Sequence, residues 1–67
     1  MNFNGEELML MMLYNTGSRL RLMQELRLMQ CYLMPDETAL RELSEGVIEK
    51  LKLMTDAQFA EVEFPMD

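Results

Sequence analysis

The chain has 67 residues, which is enough for one small domain with little stability in reserve. Apolar residues make up 49% of it, which argues against disorder, and its net charge of −6 argues against a general nucleic-acid binder. Histidine and tryptophan are absent and there is one cysteine. This composition excludes histidine-based catalytic triads, zinc sites that need histidine, and an intrachain disulfide framework.

The composition predicts an all-α fold, because β-branched residues are scarce and good helix formers dominate. Polar turns at residues 15–18, 35–36 and 55–56 divide the chain, and Pro65 marks a tail. We therefore expect one domain over residues 1–67: a compact three-helix arrangement built on an antiparallel helical hairpin, with a short fourth helix. The predicted elements are helices at about 5–15, 18–33, 37–54 and 56–62, followed by a tail at 63–67.

Side chains suited to helix ends stand at the predicted boundaries. Gly17 suits the exit from the first helix, and Asp36 is placed to cap the third. Two further sites have the spacing of a capping box, in which an N-cap residue pairs with Glu or Gln three positions on. These predicted boxes are Asn4 with Glu7 and Thr55 with Gln58.

Apolar residues form a stripe on each of the two longest predicted helices. Each stripe has the width expected of a face turned toward a core. Ser44 interrupts the stripe of the third helix. The predicted core residues are Leu22, Met23, Leu26, Met29 and Leu33 on the second helix, and Leu40, Leu43, Val47, Leu51 and Met54 on the third.

The first predicted helix is apolar all round over residues 8–14. Periodicity alone does not distinguish a buried helix from a buried strand over so short a run, but the Leu and Met content favours helix. We expect it to pack across the hairpin, with Phe59 and Phe64 closing the open end. The run is seven residues long, far short of the roughly 20 that cross a bilayer, so a cytoplasmic location without a membrane partner is expected.

A second apolar patch is predicted on the second helix, opposite its core stripe. Leu20, Leu28 and Cys31 lie there around Gln24. A marginal domain often buries such a patch in a partner, so we interpret these four residues as an interaction surface for another protein or for a second copy, as a homodimer. The alternatives are burial under the first helix and ordinary exposed surface.

Three arginines on the same helix are the candidates for phosphate contact. Arg19, Arg21 and Arg27 give residues 16–34 a net charge of +2 and suggest an alternative function as a DNA-associated regulator. Their helical angles scatter and no aromatic residues interleave for base stacking, which disfavours direct nucleic-acid binding. The competing interpretation is that their stems cover apolar surface while their charged heads stay in water.

Acidic residues dominate residues 35–67, where nine stand against three basic ones. Glu42, Glu45 and Glu49 share the face of the third helix opposite its core stripe, and we expect Arg41 to pair with Glu45 and Lys52 with Glu49. This pattern is typical of a solvated surface. The alternative is a surface for a basic protein, including mimicry of DNA.

The sequence offers few groups for catalysis. Cys31 has no histidine partner and sits in mid-helix in the predicted element, away from a helix N-terminus that would lower its pKa. Glu42 and Glu45 are the remaining candidates, and glutamates on a helix surface lack the cleft that acid–base catalysis needs. We therefore expect a protein that is not an enzyme and that uses no cofactor or metal.

Four groups of residues stand out along the chain by their order and spacing. They are Phe3 with Glu6 and Glu7; Tyr14, Asn15, Thr16, Gly17, Ser18 and Arg19; Tyr32 and Leu33 before Pro35, Asp36 and Glu37; and Lys50 and Leu51 followed by Met54, Thr55, Asp56, Ala57, Gln58 and Phe59. In this order the four groups resemble the transposon-transfer assisting proteins encoded on bacterial conjugative transposons.

This resemblance spans nearly the whole chain. Gln58 stands where the family pattern has an acidic residue, and the doubled Arg-Leu-Met-Gln at residues 21–24 and 27–30 is unusual. The resemblance implies a compact, mostly helical bacterial protein that assists mobile-element transfer, and it carries over no catalytic or binding residue.

Overall fold

The computed structural model describes residues 3–15 and 17–64. Over this part of the chain there are four helices and no strand, which confirms the all-α fold. Thr16 of the first predicted turn and residues 65–67 of the predicted tail lie outside the described residues. The helices are α1 (Gly5–Tyr14), α2 (Arg19–Cys31), α3 (Thr38–Leu53) and α4 (Asp56–Ala60).

Both predicted capping boxes are present. The Glu7 N–H donates to Asn4 Oδ1 at 2.8 Å, and the Asn4 N–H donates back to Glu7 Oε1 at 2.9 Å. At the start of α4 the Gln58 N–H donates to Thr55 Oγ1 at 3.1 Å, and the Thr55 N–H donates to Gln58 Oε1 at 2.9 Å. Local side-chain chemistry therefore starts α1 and α4 where the sequence places their caps.

Gly17 turns the chain between α1 and α2. Its φ of 101° lies in the left-handed region, which residues with a Cβ rarely adopt. Its predicted role at the exit from α1 is wrong, because α1 ends at Tyr14 with an extended Asn15 as its C-cap, and Gly17 serves the turn that follows. Its N–H donates to Asn15 Oδ1 at 2.9 Å. The next residue, Ser18, caps α2 by accepting the Arg21 N–H at 3.1 Å.

The predicted cap of α3 is wrong. Its N-cap residue is Glu37 and not Asp36, and no side-chain hydrogen bond of the described residues caps it. Glu37 instead closes a tight turn: its N–H donates to Met34 O at 3.0 Å, and its Oε1 accepts the Met34 N–H at 3.2 Å. This reciprocal pair encloses Pro35 and Asp36, so α3 begins at Thr38, one residue later than expected.

One hydrophobic core lies between α1, α2 and α3. Both predicted stripes contribute to it, although Met23, Met29, Leu40 and Leu43 are only partly buried at its edge. The prediction is wrong for Leu33, which follows the end of α2 and is neither in the core nor packed against it. Phe59 and Phe64 pack partly buried against it, while their expected place at the open end of the hairpin stays a prediction. The buried apolar side chains of the described residues are Leu10, Met11, Leu22, Leu26, Val47, Ile48, Leu51 and Met54.

α1 is helical, as its composition indicates, and it packs against both α2 and α3. Leu10 and Met11 enter the core. Met9, Met12 and Leu13 do not: they are 63%, 42% and 79% exposed. The all-apolar segment therefore presents a second apolar face to solvent, which we call the outer face of α1.

α2 and α3 pack against each other, while the antiparallel geometry of the predicted hairpin stays a prediction. Two hydrogen bonds link them: Gln30 Nε2 donates to Ser44 Oγ at 2.8 Å, and Arg19 Nη1 donates to Leu51 O at 2.7 Å. Ser44 is fully buried, and its hydroxyl donates to Arg41 O at 2.9 Å. The hydroxyl group of Ser44, which interrupts the apolar stripe of α3, thus accepts one hydrogen bond and donates another.

Candidate interaction surface

The predicted interaction surface lies on the solvent side of α2. Leu22 and Leu26 fill the core with no exposed area, so residues on the opposite side of the same helix point outward. Leu20 is 57% exposed and Leu28 is 52% exposed, and Gln24 and Cys31 are exposed with them. These four residues, the α2 patch, are thus left open by the fold rather than buried under α1.

Cys31 occupies a different position from the one expected. α2 ends at this residue and not at residue 33, because the Tyr32 N–H already bonds to Met29 O in a tightened last turn. Cys31 is therefore an exposed free thiol in the last turn of the helix, and its mid-helix placement is wrong.

The three arginines do not form one site. Arg19 is turned inward: its Nη1 donates to Leu51 O at 2.7 Å and its Nε donates to Asp56 Oδ1 at 2.9 Å. Its side chain is 17% exposed and ties the start of α2 to the end of α3 and the start of α4. Arg21 and Arg27 are exposed. Of the three predicted phosphate contacts, one is thus already engaged within the fold.

The acidic face of α3 is exposed, as expected for a solvated surface. Glu42, Glu45 and Glu49 are all open to solvent. The Lys52–Glu49 pair is present at 3.8 Å. Within residues 3–15 and 17–64 the expected Arg41–Glu45 ion pair does not form, so that prediction is wrong. Exposed pairs of this kind contribute at most about 1 kcal/mol to stability, so the presence or absence of one of them has little effect on the free energy of unfolding.

An ion pair joins a buried carboxylate of α1 to a lysine of α3, and the sequence pattern did not predict it. Glu7 is only 5% exposed, and Lys50 Nζ reaches its Oε1 at 2.7 Å. The same ammonium group lies 5.5 Å from the centre of the Phe3 ring. A Cβ added to Gly46 would lie 3.4 Å from the other Glu7 carboxylate oxygen, at ordinary van der Waals distance, so this carboxylate lies directly beside the backbone of α3. Glu7 therefore caps α1 and also fastens it to α3.

A signal for this pair exists in the sequence. On a helical wheel Glu7 falls among Leu10, Met11 and Tyr14, and a carboxylate on a core-facing side needs a cation beside it. The wheel does not say which of the chain's basic residues supplies that cation, because the partner lies 43 positions away.

An open groove lies between the start of α1, the end of α3, and α4 with the residues that follow it. Glu61 and Glu63 contribute to its lining beside apolar side chains, and its other lining residues are Phe3, Leu8, Leu53, Met54, Gln58 and Val62. The groove contains none of the four residues of the α2 patch. Across the described part of the chain, no group of three histidine, cysteine or acidic residues is arranged to hold a metal ion.

Taken together, the geometry is that of a small all-helical protein with exposed apolar faces on two helices. The family model described as "Putative transposon-transfer assisting protein" matches residues 3–65, so the chain belongs to this family and its resemblance to the family is confirmed. No curated protein and no solved structure matches the chain. Among the described residues there is no helix with the length and apolar character to span a membrane.

Proposed function

We propose that this protein is a non-enzymatic accessory factor of conjugative transposon transfer in the bacterial cytoplasm, and that it acts by binding another protein through the α2 patch. The family to which the chain belongs supplies the transfer context. The proposal that the protein binds a partner through this patch rests on the exposure of Leu20 and Leu28.

Burial of this patch against a partner protein is energetically favourable. Each of the two leucines leaves more than half of its surface in water, and removing apolar area from water contributes about 25 cal/mol per Å². Gln24, between them, supplies an uncharged donor and acceptor that a partner can satisfy. An apolar centre with such a polar neighbour is the usual composition of a protein–protein contact.

The experiment is affinity purification of the tagged full-length protein from a host that carries the element, with mass spectrometry of what co-purifies. The test variant is Leu20→Gln with Leu28→Gln, and the control is Leu53→Gln, which changes a leucine of α3 that is 72% exposed. We expect the co-purifying transfer protein to be lost in the double variant and retained in the control. Equal recovery from all three forms would exclude the α2 patch as the contact.

The DNA-associated alternative has less support, because Arg19 already donates to Leu51 O and Asp56. Arg21 and Arg27 remain exposed. A mobility-shift assay with DNA of the element at low salt tests them: we expect no shift. A salt-dependent shift that disappears in the Arg21→Gln, Arg27→Gln variant would overturn the proposed mode of action.

A further inference from the structure

The open groove beside α4 has an apolar floor that the fold leaves accessible. Leu53, at the end of α3, is 72% exposed and lines the groove. Phe3, Leu8 and Val62 line it from α1 and from the residues after α4, and all three are half-buried. A concave surface with accessible apolar side chains fits a segment that brings apolar side chains of its own.

The charges of this groove have one sign. Glu61 and Glu63 are exposed and line it, and among its described lining residues there is no lysine or arginine. From residue 55 onward the sequence has four acidic residues and no basic one. The ion pairs of the described residues join other groups, namely Arg19 with Asp56, Lys50 with Glu7, and Lys52 with Glu49. We call this surface the acidic groove.

The segment after α4 holds its carboxylates at the groove through its apolar residues. Acidic and apolar residues alternate from Glu61 to Phe64. Val62 and Phe64 pack partly buried against the core, whereas Glu61 and Glu63 are exposed. Because the two apolar side chains attach the segment to the core, the two carboxylates stay beside the groove.

We propose that the acidic groove binds a segment of another protein in which apolar side chains are flanked by lysine or arginine. The apolar side chains cover Leu53 and its neighbours, and the basic side chains pair with Glu61 and Glu63. A neutral segment would take water from two carboxylates without replacing it, and an acidic segment would add repulsion between like charges. Nucleic acids and anionic membranes are repelled for the same reason.

A second copy of this chain fits the groove less well than a separate basic protein does. α2 has exposed leucines and arginines, but the molecule that carries it has a net charge of −6, so two copies repel each other. Pairing α2 with the groove also joins two different surfaces, which cannot form a symmetric two-fold dimer. The acidic groove shares no residue with the α2 patch, so this contact goes beyond the proposed function and does not depend on it.

Fluorescence anisotropy with labelled synthetic peptides tests the proposal on the full chain at low salt. The probe is an amphipathic peptide of about 14 residues, in which leucines occupy one helical face and lysines flank them. One matched peptide has serine in place of each leucine, and another has glutamate in place of each lysine. We expect the leucine–lysine probe to bind with a Kd below about 100 μM, and each matched peptide to bind at least about tenfold more weakly.

Variants of the protein locate the contact. Glu61→Gln with Glu63→Gln removes two charges from the groove and is expected to weaken the probe about fivefold. Glu42→Gln with Glu45→Gln is the matched control, because it removes the same charge from the exposed face of α3, and it should change the Kd less than about twofold.

The apolar floor has its own pair of variants. Leu53→Gln, which leaves the α2 patch intact, should weaken the probe about threefold or more, because it removes accessible apolar surface from the groove. Leu20→Gln with Leu28→Gln should leave the Kd of the probe unchanged.

Several results would overturn the proposal. They are no binding of the probe up to about 1 mM, equal binding of either matched peptide, and equal weakening by the two pairs of glutamine substitutions, which would leave only attraction by net charge. Sedimentation equilibrium of the protein alone covers the second copy: self-association that disappears in Glu61→Gln with Glu63→Gln would also overturn it. These assays contain no transfer protein, so their failure leaves the proposed function untouched.

Discussion

Lys50 and Lys52 are two lysines of one helix in very different surroundings. Lys50 lies 2.7 Å from Glu7, a carboxylate whose side chain is 6% exposed, and beside the Phe3 ring. Lys52 lies 3.8 Å from Glu49, whose side chain is 69% exposed. A buried carboxylate that loses its cation is costly, while an exposed pair is screened by water.

Replacing each lysine by methionine keeps the apolar stem and removes the charge. We expect Lys50→Met to lower the free energy of unfolding by about 1–3 kcal/mol, and Lys52→Met to change it by less than about 0.5 kcal/mol. Urea unfolding followed by the helical circular dichroism signal measures both. Equal midpoints for the two variants would show that the Glu7–Lys50 pair contributes nothing beyond a surface contact.

At the scale of the elements, the turn between α1 and α2 depends on one backbone conformation. Gly17 has a φ of 101°, and a Cβ there would meet no atom within 4 Å, so a side chain at this position is opposed by backbone strain and not by crowding. Gly17→Ala is therefore expected to cost about 1–2 kcal/mol, and Gly17→Asn less, because asparagine adopts the left-handed region more readily.

Thermal unfolding measures this effect, since 1 kcal/mol shifts the midpoint of a chain of this size by roughly 4–8 °C. Gly5→Ala is the control, because it adds a Cβ in open space at a helical position, and its midpoint should not fall. If Gly17→Ala unfolded at the same temperature as the parent protein, the turn would have to adopt another conformation at little cost.

The elements also show how far local sequence signals extend. The caps at Asn4 and Thr55 are predictable because every atom of a capping box lies within four consecutive residues. The reason why Asp36 does not cap α3 is also local. Glu37 forms hydrogen bonds with Met34, and the turn that they close includes Asp36. A residue's capping preference does not reveal such competition from its neighbour.

Contacts between helices are less accessible to the sequence. The exposure of Leu20 and Leu28 follows from their angle on one helix, so the α2 patch could be predicted. The engagement of Arg19 could not, because its partners Leu51 and Asp56 lie 32 and 37 positions away and meet it only after the helices pack. The outer face of α1 could not be predicted either. The side of an all-apolar helix that turns inward is decided by the helices that pack against it.

For the whole molecule, the small core sets how much change the fold tolerates. Globular chains retain about 0.05–0.15 kcal/mol of stability per residue, which for this chain is roughly 3–10 kcal/mol. Leu26 has no exposed area, and Leu28, two positions along the same helix, is 52% exposed. Truncating a buried leucine to alanine costs about 2–5 kcal/mol, whereas a surface substitution usually changes stability by less than about 0.5 kcal/mol.

Leu26→Ala is accordingly expected to remove about half of the available stability, so that the variant unfolds at a much lower urea concentration than the parent protein. Leu28→Ala should unfold at the same urea concentration as the parent protein, although it removes the same three carbon atoms from the same helix. The starting circular dichroism signal and the urea midpoint measure both effects. A full helical signal and an unchanged midpoint for Leu26→Ala would mean that the core between α1, α2 and α3 is not what holds the fold together, and the exposed faces of α1 and α2 would then have to contribute through contacts with other chains.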